Sequence, residues 1–177
     1  MKLVLVVGPS GSGKDTLLRA AREHFRASLE FGFAPRYITR PPDDNENNYY
    51  VDPTCFQFLK ENNFFLSQWR AHGNQYGIPR HILLNATLHK RLLCSISRGA
   101  INDFEEVHDD VTVLNITAET AILRNRLQTR GREHGQDIEK RLQRAVLPVK
   151  AKHLITFDNS GSLEQAKKAF LSLLEKV

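Results

Sequence analysis

The chain has 177 residues, 41% hydrophobic and 25% charged, with a net charge of +5 and a pI near 9.4. That length suits one domain with a proper core, and the fractions are those of an ordinary globular protein. No apolar run approaches a membrane span, the run at 2–7 is too short for a signal peptide, and Cys55 and Cys94 lack disulfide or metal spacing. A cytoplasmic protein is expected, with acidic partners and no zinc, because its seven His are scattered.

Lys2-Leu-Val-Leu-Val-Val7 predicts a buried parallel strand, and a helical pattern over 14–26 places Leu17, Leu18, Ala21 and Phe25 on one face. Between them lies Gly8-Pro9-Ser10-Gly11-Ser12-Gly13-Lys14. Strand, glycine-rich turn and helix is the context of a P-loop. The glycines let successive N–H groups point inward as an anion nest, and the helix dipole favours negative charge at the same point. Lys14 adds a cation for the β- and γ-phosphates, so a nucleoside triphosphate is expected there. Ser or Thr normally follows that lysine and binds Mg²⁺. Here Asp15 stands in its place with Thr16 behind it, and either offers the metal a hard oxygen.

Residues 34–80 are polar and rich in Asn and Pro, with short aromatic runs at 49–51 and 64–71 and a helix around 53–61. They read as an inserted lobe with a small sheet. Arg91 to Ile96 predicts a second core strand, with a helix near 99–107, and Val111 to Ile116 a third. A helix over 118–129 is expected with Thr117 as its cap, then a charged break at 130–135 and a helix over 136–150. A last strand at 154–157 precedes a C-terminal helix capped by Ser162 with Gln165. Strands alternating with helices predict an α/β fold with a parallel sheet and ligands at the carboxyl ends of its strands. The positive charge concentrates at Arg124, Arg126, Arg130, Arg132, Lys140, Arg141 and Arg144, without aromatics to stack on bases. A phosphate-closing lid is the expectation there, not a nucleic-acid surface.

A P-loop does not name the phosphate's destination. The base-reading Asn/Thr-Lys-x-Asp element of GTPases is absent, and the strand ending at Ser97 lacks the acidic residue of motor-type ATPases. Core, inserted lobe and arginine lid together suggest a small-molecule kinase.

Tyr37-Ile-Thr-Arg40-Pro41, Glu46, Tyr49-Tyr50, Gly73-Asn-Gln-Tyr76-Gly77, Arg126-Leu-Gln-Thr-Arg130-Gly131 and Ile138-Glu-Lys-Arg141-Leu142 resemble the acceptor lobe and lid of guanylate kinases. The carboxylates that read guanine in that family are missing: Ser67, Ser95 and Ser97 stand at the matching positions, and Asp43 near that of a phosphate-gripping arginine. Gly13-Lys14-Asp15, Arg36-Tyr-Ile-Thr-Arg40, Trp69-Arg-Ala71, Ser97-Arg98, Arg130-Gly-Arg132-Glu133 and Asn159-Ser-Gly-Ser162 resemble the ribose 1,5-bisphosphokinases of phosphonate catabolism. The resemblance implies a P-loop kinase fold, ATP and Mg²⁺, and a phosphorylated sugar as partner, with neither nucleic acid nor membrane involved. A guanylate-type nucleoside monophosphate kinase is the alternative.

An acceptor that is itself a phosphate is largely dianionic at pH 7 and needs no general base. The barrier is then repulsion between polyanions and charge in a loose transition state. Lys14, Arg126, Arg130, Arg132 and Arg141 are the candidates to offset it. Arg36, Arg40, Tyr50, Tyr76, Ser97 and Arg98 are the candidates to hold the acceptor, and Asn159 to border the nucleotide.

Overall fold

The structure is a computed structural model that describes residues 1–41, 48–129 and 136–177. Its centre is the first strand, β1 (Lys2–Val7), in which Leu3 to Val7 are all fully buried. Alternation along that strand builds two cores at once. Leu3, Leu5 and Val7 face one side of the sheet, Val4 and Val6 the other. A strand buried on both faces reads as an unbroken apolar run, and the sequence has one. Each such side chain contributes roughly 1.5–3 kcal/mol of burial.

The helix α1 (Lys14–His24) follows, ending two residues before the expected limit because Phe25 leaves helical geometry to cap it. A short strand, β2 (Phe31–Phe33), has no counterpart in the sequence reading. The chain then makes a second sheet from β3 (Arg36–Ile38), β4 (Asn48–Tyr50), β5 (Phe65–Ala71) and β6 (Asn74–Pro79), in the order β4-β3-β6-β5. The helix α2 (Pro53–Glu61) sits within this lobe, with Asp52 Oδ1 accepting from the backbone of Thr54 and Cys55 and proline at the first helical position. The turn between β5 and β6 holds His72 and Gly73 at positive φ, as a two-residue hairpin with right-handed twist requires. Trp69 and Tyr76 stack in parallel on the paired strands, which makes Trp69 a packing residue.

A 3₁₀ segment (Arg80–Thr87) leads back to the core. There β7 (Arg91–Ser95), β8 (Val111–Thr117) and β9 (Leu154–Asp158) complete a five-stranded parallel sheet, β2-β7-β1-β8-β9. The helix expected near 99–107 is a 3₁₀ turn (Arg98–Ala100) running into the short α3 (Ile101–Glu105). The helix α4 (Thr120–Thr129) starts later than expected. Thr117 is not its cap: it closes β8, and its hydroxyl donates to the Phe157 carbonyl. Helix α5 (Gln136–Ala145) stops short of Pro148. It packs on α4 through Leu123, Leu127, Ile138 and Leu142, with Arg124 paired to Glu139 outside. The last helix, α6 (Leu163–Lys176), has Ser162 as its cap and buries Ala166, Phe170 and Leu174 against α1 and the sheet. No helix among the described residues is long and apolar enough to cross a membrane.

Candidate active site

The loop after β1 closes over the carboxyl end of the sheet. Gly11 and Gly13 sit at φ +85° and +82°, a region that residues with a Cβ enter only under strain. The loop's shape is fixed from outside by two side chains distant in sequence. Asn159, directly after β9 and 3% exposed, donates from Nδ2 to the Ser12 carbonyl at 2.6 Å. Arg126 of α4 donates to the carbonyl of Asn159 at 3.0 Å and to that of Gly11 at 3.4 Å. Asn159, the candidate to border the nucleotide, braces the phosphate loop with its amide, and Ser162 caps the last helix as expected. The Ser12 hydroxyl is fully buried with no partner among the described residues, an orphaned polar atom inside the cradle. With Thr16 half-buried in the first turn of α1 beside Asp15, the loop carries the hard oxygens that a Mg²⁺-bound triphosphate requires.

Opposite the loop, four side chains meet at the end of β7. Lys14 donates from Nζ to Ser95 Oγ at 3.0 Å and to Asp15 Oδ1 at 2.9 Å. Arg36, the first residue of β3, arrives from the lobe. It donates from Nη1 to the same Ser95 oxygen at 3.1 Å, and its Nη2 lies 3.5 Å from the same Asp15 oxygen. Its Nε donates to Asn48 Oδ1 at 2.9 Å, and its guanidinium lies 6.0 Å from the centre of the Tyr76 ring. Arg36 is 9% exposed. Two cations and one carboxylate thus share a pocket largely removed from water, where field strength per charge is high. The field reaches further: burial first, then the charge of Arg36, push the Arg22 guanidinium below its usual range.

The other expected residues are spread around this cluster. Arg141 of α5 donates to Ser10 Oγ at 2.9 Å, and its second nitrogen meets His72 Nδ1 of the lobe hairpin at 3.0 Å. It therefore ties lid, phosphate loop and lobe together. Arg40 donates to the Pro41 carbonyl, and Tyr50 is half exposed on the lobe. Tyr76 is buried, with the Arg36 guanidinium over its ring. Ser97 precedes the 3₁₀ turn of Arg98 and accepts the Ala100 amide with its carbonyl. Arg98, expected on the acceptor side, donates from both terminal nitrogens to the carbonyl of Ala145 and from Nη1 to that of Leu147. Burial lowers its basicity, and it moors the end of α5. Arg130 and Arg132, with Asp43, Glu46 and Glu133, lie outside the described residues.

Three members of the site were missed among the sequence candidates. In the sequence Ser95 stands out only as a missing acid, although its place at the end of a core strand is the signal that marks ligand contacts. Asn48 and His72 carried no signal, because they meet Arg36 and Arg141 only through the pairing of lobe strands. Ser67, at another guanine-reading position, is 2% exposed and donates to Asp103 Oδ2 of α3 at 2.6 Å, fastening the lobe to the core.

No family model matches the chain. Curated relatives do. Ribose 1,5-bisphosphate phosphokinase PhnN of Rhizobium etli is 36% identical over 175 residues, covering 98% of this chain and 89% of that protein. The proteins of the same name from Desulfomicrobium baculatum and Acidiphilium cryptum are 38% and 39% identical, again over 98% of this chain and over 94% and 92% of theirs. Among solved structures, guanylate kinase from Anaplasma phagocytophilum superposes with a TM-score of 0.62 at 20% identity, over 99% of this chain and 85% of that one. A sugar kinase from Janibacter gives 0.52 at 17%, over 99% and 95%. The structural likenesses carry the P-loop kinase fold alone. On sequence identity along nearly its whole length, the chain belongs to the ribose 1,5-bisphosphate phosphokinase family.

Proposed function

We propose that this protein transfers the γ-phosphoryl group of ATP to ribose 1,5-bisphosphate, releasing ADP and 5-phosphoribosyl 1-diphosphate. The observation that carries the reading is the convergence of Lys14 from the nucleotide loop and Arg36 from the lobe on one hydroxyl and one carboxylate. A donor-side and an acceptor-side cation meeting at one point is what joining two phosphates requires. Ser67, Ser95 and Ser97, where guanine-reading carboxylates would stand, favour a phosphorylated sugar over a purine nucleotide as the carrier of the second phosphate. The planar guanidinium fork also matches phosphate oxygens.

In this reading Lys14, Arg126, Arg141 and the lid residues Arg130 and Arg132 stabilise the charge on the transferred group. Arg36, Arg40 and Tyr50 hold the acceptor in line, and Tyr76 backs Arg36. Arg98 keeps α5 in place, so that Arg141 stays in reach of Ser10. Thr16, with Asp15, would hold Mg²⁺, which when bound neutralises phosphate charge. The buried Asn159 keeps the nest in shape at the border of the nucleotide. The acceptor is already dianionic, so no side chain need remove a proton. The site of action is the cytoplasm, and no nucleic acid takes part.

The test is ADP release measured with ribose 1,5-bisphosphate, GMP, AMP, dTMP and CMP in parallel. Turnover fastest on ribose 1,5-bisphosphate is expected. Turnover on GMP alone would sink the reading in favour of a nucleoside monophosphate kinase.

A further inference from the structure

Ser95 occupies an unusual position for a serine. Its oxygen accepts from two cations, Lys14 Nζ at 3.0 Å and Arg36 Nη1 at 3.1 Å. Neither donor can accept in return, because an ammonium and a guanidinium offer only N–H groups. A serine oxygen has two lone pairs and one proton, and both lone pairs are engaged. The proton is left for the remaining tetrahedral direction, and among the described residues Ser95 Oγ donates to none. The residue ends β7, at the carboxyl edge of the parallel sheet, and is 9% exposed. Two neighbouring positive charges polarise its O–H and strengthen it as a donor.

From this geometry we infer that Ser95 is a catalytic residue, its hydroxyl donating to a phosphate oxygen held between Lys14 and Arg36 during transfer. The inference rests on the reaction proposed above and adds to it a residue and a role. In the step, an oxygen of the acceptor's 1-phosphate forms a new bond to the γ-phosphorus of ATP. The bond from that phosphorus to the β,γ-bridging oxygen breaks, and its electron pair leaves with ADP. No proton is gained or lost by either substrate, and the Ser95 proton stays on Ser95. What changes is the charge on the peripheral oxygens, which a fixed donor meets without rearrangement. A second carboxylate at this point, beside Asp15, would face the phosphates with a like charge; a hydroxyl adds a donor and no charge.

The experiment compares wild type, Ser95→Ala and Ser95→Thr in steady-state turnover, with ATP-analogue affinity and thermal melting measured on each. The acceptor is whichever in the panel wild type turns over fastest. The wild-type panel therefore judges the reaction, while the variant-to-wild-type ratio judges Ser95. Ser95→Ala is expected to lower kcat roughly 100- to 1000-fold, a loss on the scale of one oxyanion donor. Its ATP-analogue affinity should stay within about twofold of wild type, and Ser95→Thr should restore most of the rate. Three results overturn the inference: an alanine variant with wild-type kcat, a loss confined to the KM for ATP, or a threonine variant as slow as alanine. The second would mean that the hydroxyl merely props Lys14.

Discussion

Replacing Gly13 by alanine tests whether Asn159 sets the shape of the phosphate loop. At φ +82° an added Cβ would run into the Asn159 amide nitrogen. The left-handed conformation alone costs a residue with a Cβ roughly 1–2 kcal/mol. Swinging the amide aside also breaks its bond to the Ser12 carbonyl, and a buried group left without its partner costs a further ~1–3 kcal/mol. Gly13→Ala is therefore expected to lose about 2–5 kcal/mol, the sum of strain and lost bond. Asn159→Ala loses only the second part, roughly 1–3 kcal/mol. In the double variant the Cβ enters space that the amide has left, so the bond is lost once and not twice. Its loss should fall short of the sum of the single losses by about 1–3 kcal/mol. Urea unfolding of the four proteins measures that coupling, and titration with a fluorescent ATP analogue measures it where the loop yields locally. Strict additivity in both assays would refute the clamp.

At limiting Mg²⁺, Asp15→Ser should keep more turnover than Asp15→Ala, because the hydroxyl still offers a hard oxygen; equal rates across a Mg²⁺ titration would count against a metal role. Ser162→Ala removes the cap of α6 and should lower stability by about 1 kcal/mol, read as a lower urea midpoint at unchanged slope. Burial pushes the Cys94 thiol up to about 12 from 9.0. Folded protein thus holds this proton more tightly than unfolded chain, so the associated stability is complete below pH 9.0 and lost as pH rises towards 12. Unfolding followed between those limits should show a shallower decline in Cys94→Ala than in wild type, and parallel declines would contradict the linkage.

The phosphate loop was legible because its determinants are local. Five apolar residues, three glycines and the lysine after them lie within thirteen positions and dictate strand, nest and helix without reference to the rest of the chain. The strand Phe31–Phe33 was not, since three residues around Gly32 show no period. It forms because β7 leaves an edge for it to pair with. Thr117 stood at a helix start and a strand end together, and pairing with β9 decided between them. Arg98 shows the limit at the site itself. Beside Ser97 it reads as a phosphate ligand, and nothing local announces that its guanidinium also reaches two carbonyls set by where α5 stops, 47 and 49 residues further on. Arginines are visible in a sequence. The groups that claim them are fixed only by the fold.

The placing of the lobe has a consequence for how such an enzyme changes. Strands β2 and β7 are direct neighbours, Phe31 beside Arg91, and the Ala34 amide donates to the Leu93 carbonyl as the chain departs. Residues 36–79 are therefore an enlarged crossover between adjacent parallel strands, and the order of the sheet is indifferent to what that crossover contains. A crossover reading another acceptor fits the same gap if it keeps two moorings, Arg36 on Ser95 and Ser67 on Asp103. Donor chemistry and acceptor choice are thereby separable, and the second can be rewritten while the first stands.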